Sequence, residues 1–347
     1  MCATVPYQSE TPVLSVVIPL YNEAAGFEEF IPALEAALAG CGKIAYEIVA
    51  VDDGSSDETP LRLRSWRARN SSVRIVRLSR NFGKEAALSC GLHLAAGRAV
   101  VLLDADLQDP PTLIPRMLEH WQAGVDVVVA RRRLGREDGL LRRWSASAFY
   151  KLMGLMARNA LPAHVGDFRL MDRRVVDALL HVPEKTRFMK GLMHYVGFKV
   201  VTLDFRRPER RSGRSRWSIW KLWNYALDGI TSFSTVPLRA WGYLGFLMAL
   251  LALGYAGWIV ARTIIYGIEV PGYASLATMI LFFSGLQLVS VGILGEYVAR
   301  VFVEAKNRPL YVVEALDGFD PEWIQLQSKR VLGNIVLPRG VIPGAWT

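Results

Sequence analysis

The sequence lacks several features that would assign it to common classes of protein. Its three cysteines, Cys2, Cys41 and Cys90, have no metal-type spacing and do not read as a disulfide framework, which fits a reducing compartment. The five histidines are scattered, so a zinc site is not indicated. Neither GxxxxGK(S/T) nor GxGxxG after the first strand is present. A P-loop kinase and a dinucleotide oxidoreductase therefore lack their main evidence.

A signal peptide is also missing from the start of the sequence. The first residues, MCATVPYQSE, contain no basic stretch followed by an apolar run, so we expect the N-terminal half to stay where it is made. What the chain does have is an excess of positive charge, +9 over 347 residues, and a mean hydropathy of +0.22. Such a charge suits nucleic acid, an anionic membrane surface or a phosphorylated substrate, and the position of the charges must decide.

Two long apolar runs lie near the C-terminus, at residues 241–260 and 276–295. Each has about 20 residues without a charge, which is the length needed to cross a hydrocarbon core. A buried helix hairpin of a large soluble protein is the alternative, but such helices are usually shorter. Basic residues precede the first run and follow the second, so the positive-inside rule predicts that both termini are cytoplasmic. Residues 217–233, with three tryptophans, predict either an interfacial amphipathic helix or one packed on a soluble domain.

The N-terminal half alternates apolar, β-branched segments with segments of helical spacing. This alternation indicates an α/β fold with a mostly parallel sheet covered on both faces, in which ligands bind outside the carboxyl ends of the strands. The predicted strands cover residues 14–20, 46–51, 73–78, 99–103 and 125–130, and the predicted helices cover residues 23–39, 58–70, 84–96 and 112–123.

Acidic residues follow three of these strands. Glu23 comes after the first, Asp52 and Asp53 after the second, and Asp104 and Asp106 after the fourth. The preference of turns for aspartate explains one or two of them, but not three strand ends that carry them. Carboxylates at one rim suit Mg²⁺ or Mn²⁺ shared with substrate phosphates. The sequence therefore predicts a divalent-metal site here.

Five motifs carry a family resemblance. They resemble the inverting GT-A glycosyltransferases that act on polyprenyl phosphates, and most nearly the bactoprenol glucosyltransferases and dolichol-phosphate mannose synthase-like proteins. The resemblance covers residues 14–313, including the two apolar runs. The motifs are PLYNE (19–23), VDDGSSD (51–57), SRNFGKEAAL (79–88), LDADLQDPP (103–111) and GDFRLMDRRV (166–175).

The resemblance implies a Rossmann-like GT-A domain over residues 1–210. A juxtamembrane amphipathic segment (211–235), two transmembrane helices (within 236–300) and a cytoplasmic tail (301–347) would follow it. It also implies a bacterial inner-membrane location. Relatives can assemble as tetramers, which leaves a homotetramer open.

The resemblance also implies roles for individual residues. Asp167 and Asp106 would be catalytic, although orienting a basic residue or the sugar hydroxyls is an equal interpretation for Asp167. The donor nucleotide-sugar would contact Pro19, Glu23, Asp52, Asp53, Lys84 and Asp104. The metal would be held by Asp104, Asp106 and Gln108. The lipid phosphate would be bound by Arg131, Arg206, Arg211 and Arg216, and relatives usually have lysine where Arg216 stands.

The implied reaction is transfer of one sugar, first glucose from UDP-glucose, to undecaprenyl phosphate with inversion, for modification of cell-envelope glycans such as lipopolysaccharide. N-acetylglucosamine, galactose, mannose and an aminoarabinose derivative stay open as the sugar. A processive polysaccharide synthase is the alternative, but its usual Q-x-x-R-W motif is missing. A membrane scaffold that binds nucleic acid is disfavoured, because the acidic rim would repel phosphates without a metal.

Overall fold

The computed structural model describes residues 12–132, 165–182, 184, 192, 195–205, 236–267, 272–320 and 335–336. Within them, nine strands form one sheet: β1 (Leu14–Leu20), β2 (Tyr46–Asp52), β3 (Val73–Leu78), β4 (Ala99–Leu102), β5 (Val127–Arg132), β6 (Val165–Asp172), β7 (Val200–Phe205), β8 (Tyr311–Asp317) and β9 (Ile335–Val336). The helices are α1 (Phe27–Ala39), α2 (Thr59–Arg69), α3 (Lys84–Leu94), α4 (Ile114–Gln122), α5 (Arg173–Leu180), α6 (Val236–Tyr266) and α7 (Tyr273–Ala305).

The strands lie in the order β7-β5-β6-β4-β1-β2-β3-β8-β9. The centre is parallel, with β1 between β4 and β2, and β3 on the far side of β2. Strand β6 runs antiparallel to both β4 and β5, and β8 runs antiparallel to β3. The sheet is therefore mixed and mostly parallel, as predicted, and the carboxyl ends of β1, β2 and β4 meet at one edge.

Helices cover both faces of this sheet because the central strands are apolar on both sides. One face packs Val16, Ile18 and Ile48 against α1, α2 and α4. The other packs Val17 and Val49 against α3 and α5. Burial of these β-branched side chains on both faces fixes the direction of each strand, and so the position of the loop that follows it.

A glycine fixes the relation between two of these loops. Gly54, in the VDDGSSD motif, has φ +68°. A Cβ at this position would lie 2.5 Å from the carbonyl carbon of Arg80. Only glycine fits both the backbone conformation and this close approach. The loop after β2 is thereby held directly against the loop that leads into α3.

The two predicted apolar segments form the long helices α6 and α7, of 31 and 33 residues. The stretches Ala240–Tyr266 and Phe282–Ala305 have mean hydropathies of 2.0 and 1.5, and neither is buried within the chain. By length and composition, these are the two helices of the described residues that could cross a membrane. The predicted amphipathic segment 217–233 lies outside those residues.

The C-terminal part of the chain contributes a strand to the sheet. Strand β8, which lies within the predicted tail of residues 301–347, pairs antiparallel with β3. Its alternating side chains explain this, because Tyr311, Val313 and Leu316 are buried against α3 and β3. The predicted division of the chain stays a prediction.

Candidate active site

A cavity of about 330 Å³ opens at the carboxyl ends of β1, β2 and β4. Six of the predicted donor-binding and metal-binding residues line it: Pro19, Glu23, Asp53, Lys84, Asp104 and Asp106. The parallel central strands produce this convergence, because their carboxyl ends share one edge of the sheet.

Lys84 connects two carboxylates that are far apart in sequence. It is the first residue of α3, and its Nζ donates hydrogen bonds to Asp104 Oδ2 at 2.6 Å and to Asp167 Oδ2 at 2.7 Å. Asp104 follows β4, and Asp167 lies on the antiparallel strand β6. Burial alone would lower the pKa of Lys84, but the attraction of Asp167 and Asp104 raises it above its ordinary value. Lys84 is therefore a permanent cation in the lining of the cavity.

The carboxylates of the rim disfavour one another's ionisation. Burial raises the pKa of Asp104, and Asp167 and Asp106 raise it further against the opposing effect of Lys84. Burial also raises the pKa of Glu23, with added repulsion from Asp106 and Asp104. A neighbour that sequence reasoning missed, Asp109, has its pKa raised to about 6 by burial and by Asp104 and Asp106. Such a cluster holds more negative charge than its own cation balances.

Asp53 and Asp52 face different environments although they are adjacent. Asp53 lines the cavity, and its two carboxylate oxygens accept hydrogen bonds from the backbone N–H groups of Phe82 (2.7 Å) and Gly83 (2.9 Å). Burial raises the pKa of Asp53, and these two hydrogen bonds oppose that rise. Asp52 is 1% exposed and is not among the residues that line the cavity; its Oδ1 accepts from Ser55 N at 2.9 Å.

The two aspartates therefore have visible structural roles. Asp52 closes the turn after β2 and lies 3.7 Å from Arg77 Nε, which gives its buried charge a partner. Asp53 holds the loop that precedes Lys84. A contact between Asp53 and a nucleoside base stays a prediction, as does the assignment of Asp52 to the donor site.

The Asp104-x-Asp106 turn is tight. Gln108 N donates to Asp106 Oδ1 at 3.0 Å, and Leu107 between them has φ +54°. Asp106 is exposed, so its carboxylate is open to a ligand. Gln108 is half-buried, and its assignment to the metal stays a prediction.

The donor set fits a divalent cation that is shared with a substrate. Among the residues that the structure describes, no three Asp, Glu, His or Cys side chains form a complete metal cage. Mg²⁺ rarely needs one, because it is usually bound by one or two carboxylates together with substrate phosphates. Asp104 and Asp106 supply that number of carboxylates at the cavity edge.

The predicted acceptor arginines are described only in part. Arg131, at the end of β5, forms a two-point ion pair with Asp204 of β7, at 2.7 and 3.2 Å. Arg206, Arg211 and Arg216 lie outside the described residues. Binding of a lipid phosphate by any of the four stays a prediction.

Sequence reasoning missed Arg169, which shapes the loop that carries Asp167. Its side chain is 4% exposed, and its Nη2 and Nε donate to the carbonyls of Gly166 (2.7 Å) and Asp167 (3.3 Å). Burial lowers the pKa of Arg169, although Asp167 and Glu85 counteract this. Tyr21 and Asn81 also line the cavity and were not predicted. Each missed residue lies inside one of the five motifs, and this position was the feature of the sequence that could have identified it.

A larger groove of about 990 Å³ lies between α1 and α2. Its charged side chains are already paired: Arg62 lies 3.1 Å from Glu28, and Glu35 accepts from the indole of Trp66. It holds no comparable group of unbalanced carboxylates, so volume alone does not mark the reactive site. The smaller cavity is the candidate active site.

The mixed, mostly parallel sheet with helices on both faces has the GT-A fold of glycosyltransferases. The model of "Glycosyl transferase family 2" matches residues 15–180, and that of the "GtrB C-terminal hairpin" matches residues 236–301.

Curated relatives are similar over nearly their whole length. An uncharacterized glycosyltransferase of Synechocystis sp. is 48% identical over 307 residues, covering 88% of this chain and 96% of its own. The SfII prophage-derived bactoprenol glucosyl transferase of Shigella flexneri is 42% identical over 304 residues, covering 87% and 97%. A solved mannosyl-3-phosphoglycerate synthase from Rubrobacter xylanophilus is more distant: 20% identity, 62% of this chain, 71% of that chain and TM-score 0.45. The chain belongs to glycosyl transferase family 2, and it is a glycosyltransferase.

Proposed function

We propose that the chain transfers one glucose from UDP-glucose to undecaprenyl phosphate, with inversion, at the cytoplasmic face of a bacterial inner membrane. The observation that carries the proposal is the group of carboxylates around Lys84 at the carboxyl edge of the sheet. The choice of sugar and lipid is supported by bactoprenol glucosyl transferases at 42% identity over 97% of their length.

The rim suits the departure of a diphosphate. As the bond from the anomeric carbon to the diphosphate breaks, negative charge grows on the leaving group and must be stabilised. Asp104 and Asp106 would hold Mg²⁺ or Mn²⁺, which supplies a Lewis acid for that charge when it is bound. Lys84 adds a fixed positive charge 2.6 Å from Asp104.

The acceptor needs little activation. A polyprenyl phosphate is a phosphomonoester with a second pKa of about 6, so at neutral pH it is largely a dianion and has no proton to lose. One of its oxygens forms the new bond to the anomeric carbon on the face opposite the leaving UDP, which inverts that carbon. The contact between Asp167 and Lys84 therefore favours orientation of the lysine over general-base catalysis for Asp167.

The membrane assignment uses the two long helices. Both are apolar and unburied within the chain, and basic residues lie before α6 and after α7. The positive-inside rule then places both termini in the cytoplasm, with the lipid phosphate at the height of the juxtamembrane arginines Arg206, Arg211 and Arg216.

The test is a transfer assay with the purified full-length chain in detergent. Labelled UDP-glucose, UDP-N-acetylglucosamine, UDP-galactose and GDP-mannose are each offered with undecaprenyl phosphate, in Mg²⁺, Mn²⁺ or EDTA. We expect label in lipid from UDP-glucose, in metal only, with one hexose per lipid by mass spectrometry.

The matched control is undecaprenol, which lacks the phosphate and should accept nothing. Efficient transfer to undecaprenol would overturn the acceptor assignment. Lipid that carries several sugars would instead favour a processive synthase.

A further inference from the structure

Lys84 occupies the position of a bound cation. Its ammonium lies within hydrogen-bond distance of Asp104 and Asp167, at 2.6 and 2.7 Å. The cavity is lined by four carboxylates, of Glu23, Asp53, Asp104 and Asp106, and by one ammonium, that of Lys84. Lys84 therefore balances part of the negative charge of the cavity, and Asp106 is exposed.

This arrangement disfavours a divalent ion that arrives alone. One of the two carboxylate oxygens of Asp104, Oδ2, is in contact with an ammonium, and a dication beside it would be repelled by the same charge. The described residues also offer no three-carboxylate cage that could compensate. A free metal ion therefore meets an incomplete site.

A nucleoside diphosphate changes this balance. Its phosphate oxygens are acceptors for the Lys84 ammonium and ligands for the metal at once. If Lys84 turns to the diphosphate, Asp104 becomes available to the metal.

We propose that Lys84 is an exchangeable internal counter-ion, which moves from Asp104 and Asp167 to the donor diphosphate and thereby makes metal binding depend on the nucleotide. The inference rests on the proposed use of a nucleoside diphosphate sugar, and it adds that the metal binds together with the nucleotide rather than before it. Lys84 is a positioning residue for the metal, and loading of the donor controls the position of Lys84.

The experiment measures Mn²⁺ binding to the full-length chain by the electron paramagnetic resonance signal of free Mn²⁺, with and without UDP. In the wild type we expect weak binding of Mn²⁺ alone and much tighter binding with UDP. Lys84→Met keeps the length of the side chain and removes the charge. It should bind Mn²⁺ alone about tenfold more tightly than the wild type, which corresponds to about 1.4 kcal/mol, and it should bind UDP without metal more weakly.

The variant should thus bind Mn²⁺ more tightly but UDP more weakly. A purely structural role for Lys84 predicts a different result, because a damaged site would bind both ligands more weakly. Lys84→Gln is a second neutral variant and should behave as Lys84→Met does, whereas Lys84→Arg should stay near the wild type. Lys43→Met is the matched control, because Lys43 is exposed just before β2, at the opposite end of the sheet. It should leave both affinities within about twofold.

The outcomes distinguish this inference from the function on which it rests. If the wild type binds Mn²⁺ with UDP but neither neutral variant binds Mn²⁺ alone more tightly, the counter-ion role is overturned and the donor site stands. If the wild type binds no Mn²⁺ even with UDP, the metal site of the proposed function is overturned together with this inference.

Discussion

At the amino end of the central strands, Glu47 is 2% exposed and has a partner on every side. Arg74 Nη1 lies 2.6 Å from Oε2, while Ser15 Oγ and Ala96 N donate to Oε1 at 2.5 and 2.6 Å. At the carboxyl end of the same strands, four carboxylates line one cavity with Lys84 as the cation. The buried carboxylate at the amino end is therefore paired with a cation, whereas the carboxylates at the carboxyl end outnumber theirs.

This difference distinguishes charged side chains that stabilise the fold, at the amino end, from charged side chains that are available to a ligand, at the carboxyl end. A buried carboxylate that is paired with an arginine is costly to separate from it and is not open to a ligand. A rim in which Glu23 and Asp104 have raised pKa values is costly to keep, and such cost is typical of functional sites. Three substitutions test this difference between the two ends of the sheet.

The largest effect is expected at the rim. Asp106→Asn keeps the shape of the side chain but removes a charge needed to hold the metal, so glucosyl transfer should fall about 1,000-fold, or about 4 kcal/mol. The thermal midpoint should not fall, because Asp106 is exposed. Glu119→Gln, an equivalent change at an exposed position of α4, should affect neither quantity. Normal turnover of Asp106→Asn would show that the rim is not the metal site.

The second effect belongs to the amino end. Arg74→Met leaves the Glu47 carboxylate buried without its cation, which should lower the free energy of unfolding by about 3 kcal/mol. Thermal unfolding in detergent measures this, and the KM for the donor in the folded fraction should not change. The control is Arg62→Met, whose partner Glu28 is 80% exposed, with an expected loss far smaller than that of Arg74→Met. Equal losses in the two variants would contradict the comparison.

The smallest effect is a gain of stability at Asp109. Its pKa in the folded chain, about 6, is above the value of about 3.9 for an unfolded aspartate. The folded state thus binds this proton more tightly, and the stability it contributes is full below about pH 4 and lost as the pH rises through about 6. Asp109→Asn removes that loss and should raise stability at pH 7.5 in EDTA, by on the order of 1 kcal/mol after solvent screening.

The pH dependence is the decisive part of this measurement. The advantage of Asp109→Asn in thermal midpoint should shrink towards zero at pH 4.5, where the wild-type carboxyl is protonated in the folded state. Glu119→Gln should show no advantage at either pH. An advantage that is independent of pH would mean that repulsion within the rim is not its source.

The fold was predictable where burial fixes the sequence pattern. Strands β1 and β3 match their predicted bounds at both ends, because both faces of each are buried and the apolar run ends where burial ends. Strand β8 was missed, since its seven residues follow a long apolar helix and pair with a strand more than 200 positions earlier. Strand pairing over such a distance in sequence leaves no local sequence pattern except the alternation of buried and exposed side chains.

The site was predictable as a set of residues but not as a set of contacts. The rule for parallel strands brought Glu23, Asp53 and Asp104 to one cavity. The contact of Lys84 with Asp167 spans 83 positions and depends on the antiparallel strand β6, which the strand pattern did not indicate. Asp109 gave no separate signal because its raised pKa arises from burial and neighbours, which only the folded chain defines.

The pairing of β8 with β3 has a mechanical consequence. Only residues 306–310 separate the end of α7 from β8, and a chain of that length spans at most about 20 Å. With α7 in the bilayer, as proposed, the domain cannot move far from the membrane surface or tilt freely. The reason is that β8, which follows α7, is joined to the sheet by backbone hydrogen bonds. The short connection would then limit the distance between the cavity and the membrane surface, where the lipid headgroup lies.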